Sequence, residues 1–178
     1  EVRLPDDEFE VRLNLLGRHN ASNALAAASV GWACGCSPEE IRAGLQRAEA
    51  QPGRLQVRAG ARGSTLIDDT YNANLESTIA AIDYLTGFSG NGRRILVFGD
   101  MFELGDQSQD QHTKVGQKCA TADLDLVYTV GTETIATDVS MVDGPEHAHF
   151  DSKEELGTAL QNAVKDGDKI LVKGSRGM

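Results

Sequence analysis

Six polar side chains lie in the seven residues 68–74 (DDTYNAN), directly after the apolar residues 66 and 67. An ordinary turn needs only one or two such residues, which bond to their own backbone or tolerate unusual dihedral angles. Carboxylates, amides and hydroxyls can also supply hydrogen-bonding groups to a ligand. The segment therefore predicts either a solvated loop or a surface that binds something at the end of a buried strand.

Three further segments rich in Gly and polar residues are GDMFELGD, VGTET and KGSRG, and each follows a short apolar run. Ligands of open α/β sheets bind at the carboxyl ends of the strands, so these segments are candidate site loops. Neither GxxxxGKS/T nor GxGxxG occurs in the chain. A phosphate site therefore cannot be predicted from a Gly-rich loop.

Metal binding has little support in the sequence. Cys34 and Cys36 are too close for an ordinary disulfide, and Cys119 is left over, so the three cysteines indicate a reducing compartment. His147 and His149 alternate, which places both imidazoles on one face of a short strand, but surface histidines explain the pattern as well. We predict that this chain alone holds no metal.

The composition excludes two further classes of protein. The 178 residues carry a net charge of −10, whereas nucleic-acid binding needs a basic surface. No apolar run approaches the length that spans a membrane, and the first residues lack the apolar stretch of a signal peptide. Phosphate ligands remain compatible with this charge, because a few local cations can invert the field at one site.

The first fifty residues predict a strand or hairpin followed by two helices. Residues 2–15 alternate in polarity, and residues 21–33 place small apolar side chains at helical spacing. The second helix has a clear start, with Ser37 as N-cap, Pro38 in the first turn and Glu40 completing a capping box. The pair Pro52-Gly53 then breaks the pattern and marks the best domain boundary or hinge.

Beyond this boundary the chain predicts an α/β fold. Residues 55–69 indicate two strands with a Gly-containing turn, and a helix follows with Leu75, Ile79, Ile82 and Leu85 on one face. Short apolar strands then alternate with helices, ending in the strand DKILVKGS, which predicts a mostly parallel sheet covered on both faces. No helix follows that strand, so we expect the chain to be truncated at its end and to begin in mid-domain.

Five motifs occur in order: GRHNASNALAA, PGRL, IDDTYNAN, VFGDMFELG with His112 beyond it, and LVKGSR. Together they resemble the Mur ligases over nearly the whole chain, and within them the members that use D-alanyl-D-alanine. The resemblance implies that residues 1–52 are the helical tail of a central P-loop ATP-binding domain. Residues 53–178 would then be most of a C-terminal Rossmann-like ligase domain with a mostly parallel sheet.

The resemblance implies a cytoplasmic, ATP-dependent ligase of peptidoglycan precursor synthesis. Such a protein joins D-alanyl-D-alanine to UDP-N-acetylmuramoyl-tripeptide through an acyl phosphate. ATP would be its cofactor, with Mg²⁺ held by residues upstream of this chain, so we expect the 178 residues alone to be inactive. We expect a monomer with no nucleic-acid partner and no membrane insertion. The alternatives are another Mur or folylpolyglutamate-type ligase, or a non-catalytic Rossmann-like nucleotide-binding module.

The resemblance also implies roles for residues on the nucleotide side. Asn23 would lie near the adenine and His19 beside it, although Asn20 of the same motif could simply cap the helix. Arg54 would reach the ATP phosphates as the catalytic candidate, since its planar fork suits phosphate oxygens. Asp69 would accept from the ribose hydroxyls, and Asn72 would line the same site. Otherwise Arg54 is a solvated residue, and Asn72 and Asn74 hold the loop or cap the next helix.

Six residues are candidates for the dipeptide side because they lie at or beyond strand ends. A dipeptide has an ammonium group, which suits Asp or Glu, and a carboxylate, which suits Arg, Lys or a hydroxyl. An alternative is that Asp100 and Arg176 pair with each other. The candidates are Asp100, Glu103, His112, Lys173, Ser175 and Arg176.

Overall fold

The computed structural model describes residues 1–17 and 19–178, and for His19 it describes the backbone only. The chain forms two compact units, Glu1–Gln51 and Pro52–Met178. No helix among these residues has the length and apolar character needed to cross a bilayer.

The first unit contains a short hairpin and two helices. Strands β1 (Val2–Arg3) and β2 (Glu8–Phe9) are antiparallel, so the predicted hairpin is present but covers fewer residues than the alternating pattern. Helices α1 (His19–Ala33) and α2 (Pro38–Gln46) follow. Ser37 and Glu40 form the predicted capping box, in which the Ser37 side chain accepts from the Glu40 N–H and the Glu40 side chain accepts from the Ser37 N–H.

The second unit is an α/β sheet of six strands in the order β3-β4-β8-β5-β6-β7. The edge strand β3 is antiparallel to β4, and all other neighbours are parallel. The fold class is therefore the predicted mostly parallel sheet. Its strands are β3 (Gln56–Ala59), β4 (Thr65–Asp69), β5 (Arg94–Gly99), β6 (Leu126–Val130), β7 (Glu146–Phe150) and β8 (Lys169–Lys173); its helices are α3 (Leu75–Thr86), α4 (Ser108–Thr121), α5 (Ile135–Val139) and α6 (Lys153–Ala163).

Two separate cores cover the two faces of this sheet. Alternate residues of β5 point to opposite faces, so Leu96 and Phe98 pack with the helices α3 and α4 while Ile95 and Val97 pack on the side of α6. This burial on both faces explains why the central strands are apolar along their whole length.

The buried face of α3 differs from the predicted one. Thr78 and Ala81 are buried together with Ile82 and Leu85, whereas Leu75 and Ile79 are only partly buried. The helix is rotated from the expected stripe because its small residues face the sheet, where they allow close packing, and Thr78 lies against Met101.

Candidate functional site

Residues 53–55 lie against the carboxyl end of β4. The Tyr71 N–H donates to the Gly53 carbonyl at 2.9 Å, and the Leu55 N–H donates to Asp69 Oδ1 at 3.0 Å. Gly53 has a φ of +72°, and a Cβ there would lie 2.9 Å from the Tyr71 nitrogen, so this approach requires glycine. The two motifs PGRL and DDTYNAN thus meet at one place.

Arg54 projects from this junction over the Tyr71 ring, with its guanidinium carbon 4.2 Å from the ring centroid. Both residues are exposed. The distance is within the range of a cation–π contact, which restrains the guanidinium without occupying its hydrogen-bond donors. Arg54 is therefore held in place and still presents N–H groups to a ligand.

Lys173 at the end of β8 connects to the same loop. Its Nζ donates to Asp69 Oδ2 at 2.6 Å and to the Asn72 carbonyl at 2.9 Å. The Lys173 side chain is 2% exposed and that of Asp69 is 13% exposed. Each Asp69 oxygen has one protein partner, so the carboxylate can still accept from a hydroxyl group. Asn72 is exposed, with its carbonyl committed to Lys173.

Other polar residues of the loop support local structure. The Asp68 carboxylate accepts from the Thr70 hydroxyl at 2.7 Å, as expected for a residue that caps the turn. Asn74 caps α3, accepting from the Ser77 N–H at 2.8 Å. The polar residues of 68–74 therefore have two roles. Asp68 and Asn74 stabilise the turn and the helix, whereas Asp69 and Tyr71 bond to residues 53–55.

The turn after β5 is organised by buried side chains. Asp100 Oδ1 accepts from the Thr134 N–H at 2.9 Å. His112 is fully buried; its Nε2 accepts from the Met101 N–H at 3.0 Å and its Nδ1 lies 2.8 Å from the Ser108 carbonyl. The proton must therefore be on Nδ1, and both ring nitrogens are committed to the backbone.

Ser175 joins this turn to the segment after β8. Its Oγ accepts from the Phe102 N–H at 2.8 Å, and its own N–H donates to the Asp100 carbonyl at 2.9 Å. Asp100 and Arg176 do not form an ion pair within the portion of the chain that the structure describes. Of the six candidates for the dipeptide side, the exposed ones are Glu103 and Arg176, while the other four are buried.

Glu103 adopts a φ of +63°. Residues other than glycine reach this left-handed region at a cost of about 1 kcal/mol or more, and such strain concentrates at functional sites. The turn thus presents an exposed carboxylate from a conformation that glycine would adopt more easily.

A cavity of about 370 Å³ opens at this edge of the sheet beside α6. Its lining is mainly hydrophobic and includes Val97, Val130 and Val172, together with the cationic side chains of Lys153 and Arg176.

In the first unit, Asn23 is exposed on the first turns of α1. Its Nδ2 donates to Asn20 Oδ1 at 3.1 Å, and Asn20 Nδ2 donates to the Leu16 carbonyl at 2.7 Å. Helix α1 begins at His19, so Asn20 lies inside the first turn. Among the described residues, the Asn23 side-chain oxygen has no hydrogen-bond partner. The His19 side chain lies outside the described residues.

Two features of the site were not anticipated. The motifs predict no role for Tyr71, yet its ring contacts Arg54, and the ring centroid also lies 5.7 Å from the guanidinium carbon of Arg176. Lys173, a candidate for the dipeptide side, contacts Asp69, which the sequence did not indicate. The available signal was that Arg54, Tyr71 and Arg176 each lie in one of the five ordered motifs. Across residues 1–17 and 19–178, no group of three His, Cys, Asp or Glu side chains is arranged to hold a metal ion.

Comparisons with known proteins agree with these motifs. Residues 53–176 match the family described as "Mur ligase, glutamate ligase domain". The UDP-N-acetylmuramoyl-tripeptide–D-alanyl-D-alanine ligase of Escherichia coli K12 is 40% identical over 177 residues, which are 98% of this chain and 38% of that protein.

Two solved structures share the fold. A crystal structure of MurF from Acinetobacter baumannii has a TM-score of 0.80 at 36% identity, covering 93% of this chain and 36% of that one. The MurF ligase of Thermotoga maritima in complex with ADP has a TM-score of 0.77 at 29% identity, covering 95% and 38%. The chain thus spans somewhat more than a third of the length of these relatives.

The match over most of the chain, together with the identity to these ligases, shows that this chain belongs to the Mur ligase family.

Proposed function

We propose that this chain is the carboxyl-terminal part of an ATP-dependent ligase that joins D-alanyl-D-alanine to UDP-N-acetylmuramoyl-tripeptide in the cytoplasm. Residues 1–52 would complete a central ATP-binding domain, and residues 53–178 would form the C-terminal ligase domain. The observation that supports this most directly is the junction of PGRL with DDTYNAN. There an exposed guanidinium and a restrained carboxylate lie within one small cluster, in a chain 40% identical to such a ligase.

Arg54 and Asp69 carry the nucleotide role in this proposal. The exposed Arg54 guanidinium would contact the phosphates, because its fork of N–H donors matches phosphate oxygens. Asp69 would accept from a ribose hydroxyl with the lone pairs left free by Leu55 and Lys173. Asn72 would line the nucleotide site. In the first unit, Asn23 and His19 would contact the adenine.

The reaction would activate a carboxylate of the tripeptide by attack on the γ-phosphate of ATP, which releases ADP and forms an acyl phosphate. The amine of D-alanyl-D-alanine would then attack the acyl carbon and release inorganic phosphate, leaving an amide bond. Mg²⁺ would neutralise charge on the phosphates, held by residues outside this chain. Positioning and charge stabilisation dominate phosphoryl transfer, which is why a fixed arginine matters.

On the acceptor side, the six candidates divide by burial. Glu103 would receive the ammonium group of the dipeptide, and Arg176 would meet an anionic group of the reactants, because both side chains are exposed. Asp100, His112, Lys173 and Ser175 would act by holding the turns that present these two groups, since their polar atoms already bond to the protein.

Steady-state kinetics on the complete ligase test the proposal. Arg54→Ala should lower kcat by about 10²- to 10³-fold with a smaller change in KM for ATP, because the arginine meets charge that develops in the transition state. Arg54→Lys should recover only part of kcat, because an ammonium group lacks the planar fork.

Asp69→Ala should mainly raise KM for ATP, by about tenfold, since its contacts would persist throughout the reaction. Arg62→Ala serves as the control, because Arg62 is exposed in the connection before β4, away from the junction. Near-normal kcat in Arg54→Ala would show that Arg54 is an ordinary solvated residue.

A further inference from the structure

Tyr71 has two arginine side chains on its ring. The guanidinium carbons of Arg54 and Arg176 lie 4.2 Å and 5.7 Å from the same ring centroid. Arg54 precedes β3 and Arg176 follows β8, so the two residues come from segments more than a hundred positions apart in sequence. The Tyr71 ring is therefore contacted by both segments.

Neither arginine has an acidic partner, as judged over the described part of the chain. Arg58, Arg93 and Arg94 of the same unit pair with Asp68, Asp168 and Asp123. Arg54 and Arg176 form no such pair, although the chain carries a net charge of −10. Two cations on one ring, neither of them paired with a carboxylate, repel each other, and a bound anion would relieve that repulsion.

The backbone around Tyr71 fixes where the ring stands. The Tyr71 N–H is bonded to Gly53, and the adjacent Asn72 carbonyl is bonded to the buried ammonium of Lys173. Tyr71 is 43% exposed, and its hydroxyl makes no hydrogen bond to the described residues. The ring face, rather than the hydroxyl, is thus what contacts the rest of the cluster.

We infer that Tyr71 is a positioning residue whose ring gathers Arg54 and Arg176 into one doubly cationic subsite for a phosphate-type anion. This deepens the proposed function and rests on it only for the source of the anion, which would be the phosphate chain of ATP or the phosphate released. In this arrangement Arg176 meets a phosphate oxygen instead of a carboxylate of the dipeptide.

The test titrates the 178-residue chain with inorganic triphosphate at low ionic strength and compares four variants. Tyr71→Phe keeps the ring and should bind within twofold of the parent. Tyr71→Leu removes the ring and should weaken binding by about two- to fivefold, the effect of one exposed cation–π contact. Arg176→Gln should weaken binding at least as much, whereas the control Arg62→Gln should change it less than twofold.

An NMR readout separates positioning from folding. The side-chain protons of Arg54 should show a ring-current shift in the parent and in Tyr71→Phe that disappears in Tyr71→Leu, with an unchanged melting temperature in all three. Equal triphosphate affinity in Tyr71→Leu and the parent, or equal losses in Tyr71→Phe and Tyr71→Leu, would overturn the inference.

Competition identifies the source of the anion. Displacement of triphosphate by ATP and ADP at lower concentrations than inorganic phosphate supports the nucleotide, and the reverse order supports the released phosphate. Either result leaves the role of Tyr71 intact. If D-alanyl-D-alanine displaces triphosphate and ATP does not, the subsite binds carboxylates, and the assignment to a phosphate-type anion is wrong. The Tyr71 variants then decide separately whether the ring positions the two arginines.

Discussion

Burial separates two kinds of polar residue at the carboxyl edge of the sheet. His112, Asp100 and Ser175 are at most 5% exposed, and their polar atoms bond to backbone groups of neighbouring turns. Arg54 and Arg176 are exposed, and both contact the Tyr71 ring. A buried polar group that lost its partner would cost about 1–3 kcal/mol, so the first set is fixed by folding and the second is available for ligands.

Lys173→Met should destabilise the second unit by about 2–4 kcal/mol. The substitution keeps an apolar chain of similar length but leaves Asp69 Oδ2 and the Asn72 carbonyl without their donor, and removing one partner of a buried pair is costly. Urea unfolding measures the loss. The double variant Lys173→Met, Asp69→Asn should recover part of it, because the uncompensated carboxylate is gone. A loss below 0.5 kcal/mol for the single variant would show that the pair is not a stabilising contact.

Cys119 should resist thiol reagents that modify Cys34 and Cys36. Burial raises the pKa of the Cys119 thiol to about 12, so almost none of it is thiolate at neutral pH, and its side chain is inaccessible. Cys34 and Cys36 are exposed. Titration of the native chain with a chromogenic disulfide at pH 8 should release two equivalents, and a third only after denaturant is added. Three equivalents at one rate in the native state would contradict this placement.

At the scale of elements, local signals predicted the helices and strands well but not their arrangement. The capping residue Ser37 marked the start of α2, which the structure confirms, because a cap acts within one turn. The apolar period of α3 gave a face that coincides only in part with the buried one, because Ile82 and Leu85 are buried together with Thr78 and Ala81. Periodicity defines a helix, but the surface against which it packs decides which adjacent stripe is covered.

The central place of β8 could not be read from the sequence. The last strand lies between β4 and β5, so its neighbours come from much earlier in the chain. This pairing brings Lys173 to Asp69, two residues 104 positions apart. The resemblance groups Asp69 with Arg54, and in the structure the residue after Arg54, Leu55, bonds to Asp69. The contact of Lys173 depends on strand order, which short-range patterns do not encode.

The connection from α6 to β8 is held by Asp168. Its carboxylate accepts from Arg93 Nε at 3.1 Å, from Arg93 Nη2 at 2.7 Å and from the Lys165 N–H at 2.7 Å. Burial alone would raise the pKa of Asp168, but the bonds from Arg93 and the Lys165 N–H outweigh it, and the net shift is downward. The folded state therefore favours the ionised carboxylate.

Asp168→Asn should lower the free energy of unfolding by about 2–3 kcal/mol at pH 7, since Arg93 would lose a bidentate partner. The pKa of Asp168 in the folded state lies below its unfolded value of about 3.9. The stability that the ionised Asp168 contributes is therefore present above about pH 3.9 and is lost as the pH falls through the folded pKa. The difference between parent and variant should thus shrink below about pH 4. Asp166→Asn, an exposed neighbour with the same charge change, is the control. A pH-independent difference would indicate a packing effect.

At the scale of the whole chain, the two units have separate cores of very different size. The first contains Val2, Ala24, Ala28, Ile41 and Leu45, with partly buried neighbours of the same unit. Helix α1 leaves Leu25, Val30 and Trp32 at 47%, 63% and 43% exposure. The second unit has two larger clusters on the two faces of its sheet. A unit of 51 residues with so few large buried side chains is marginal on its own.

The two units should therefore unfold separately. The chain has one tryptophan, Trp32, so its fluorescence reports the first unit, whereas far-ultraviolet circular dichroism is dominated by the larger second unit. In urea the fluorescence transition should occur at a lower urea concentration than the dichroism transition. Two transitions that do not coincide show that unfolding of the chain is not two-state. Residues 52–178 expressed alone should keep the midpoint of the second transition, and residues 1–51 alone should lack a cooperative one. Coincident transitions for the intact chain, lost together on separation, would show that the units form one cooperative structure.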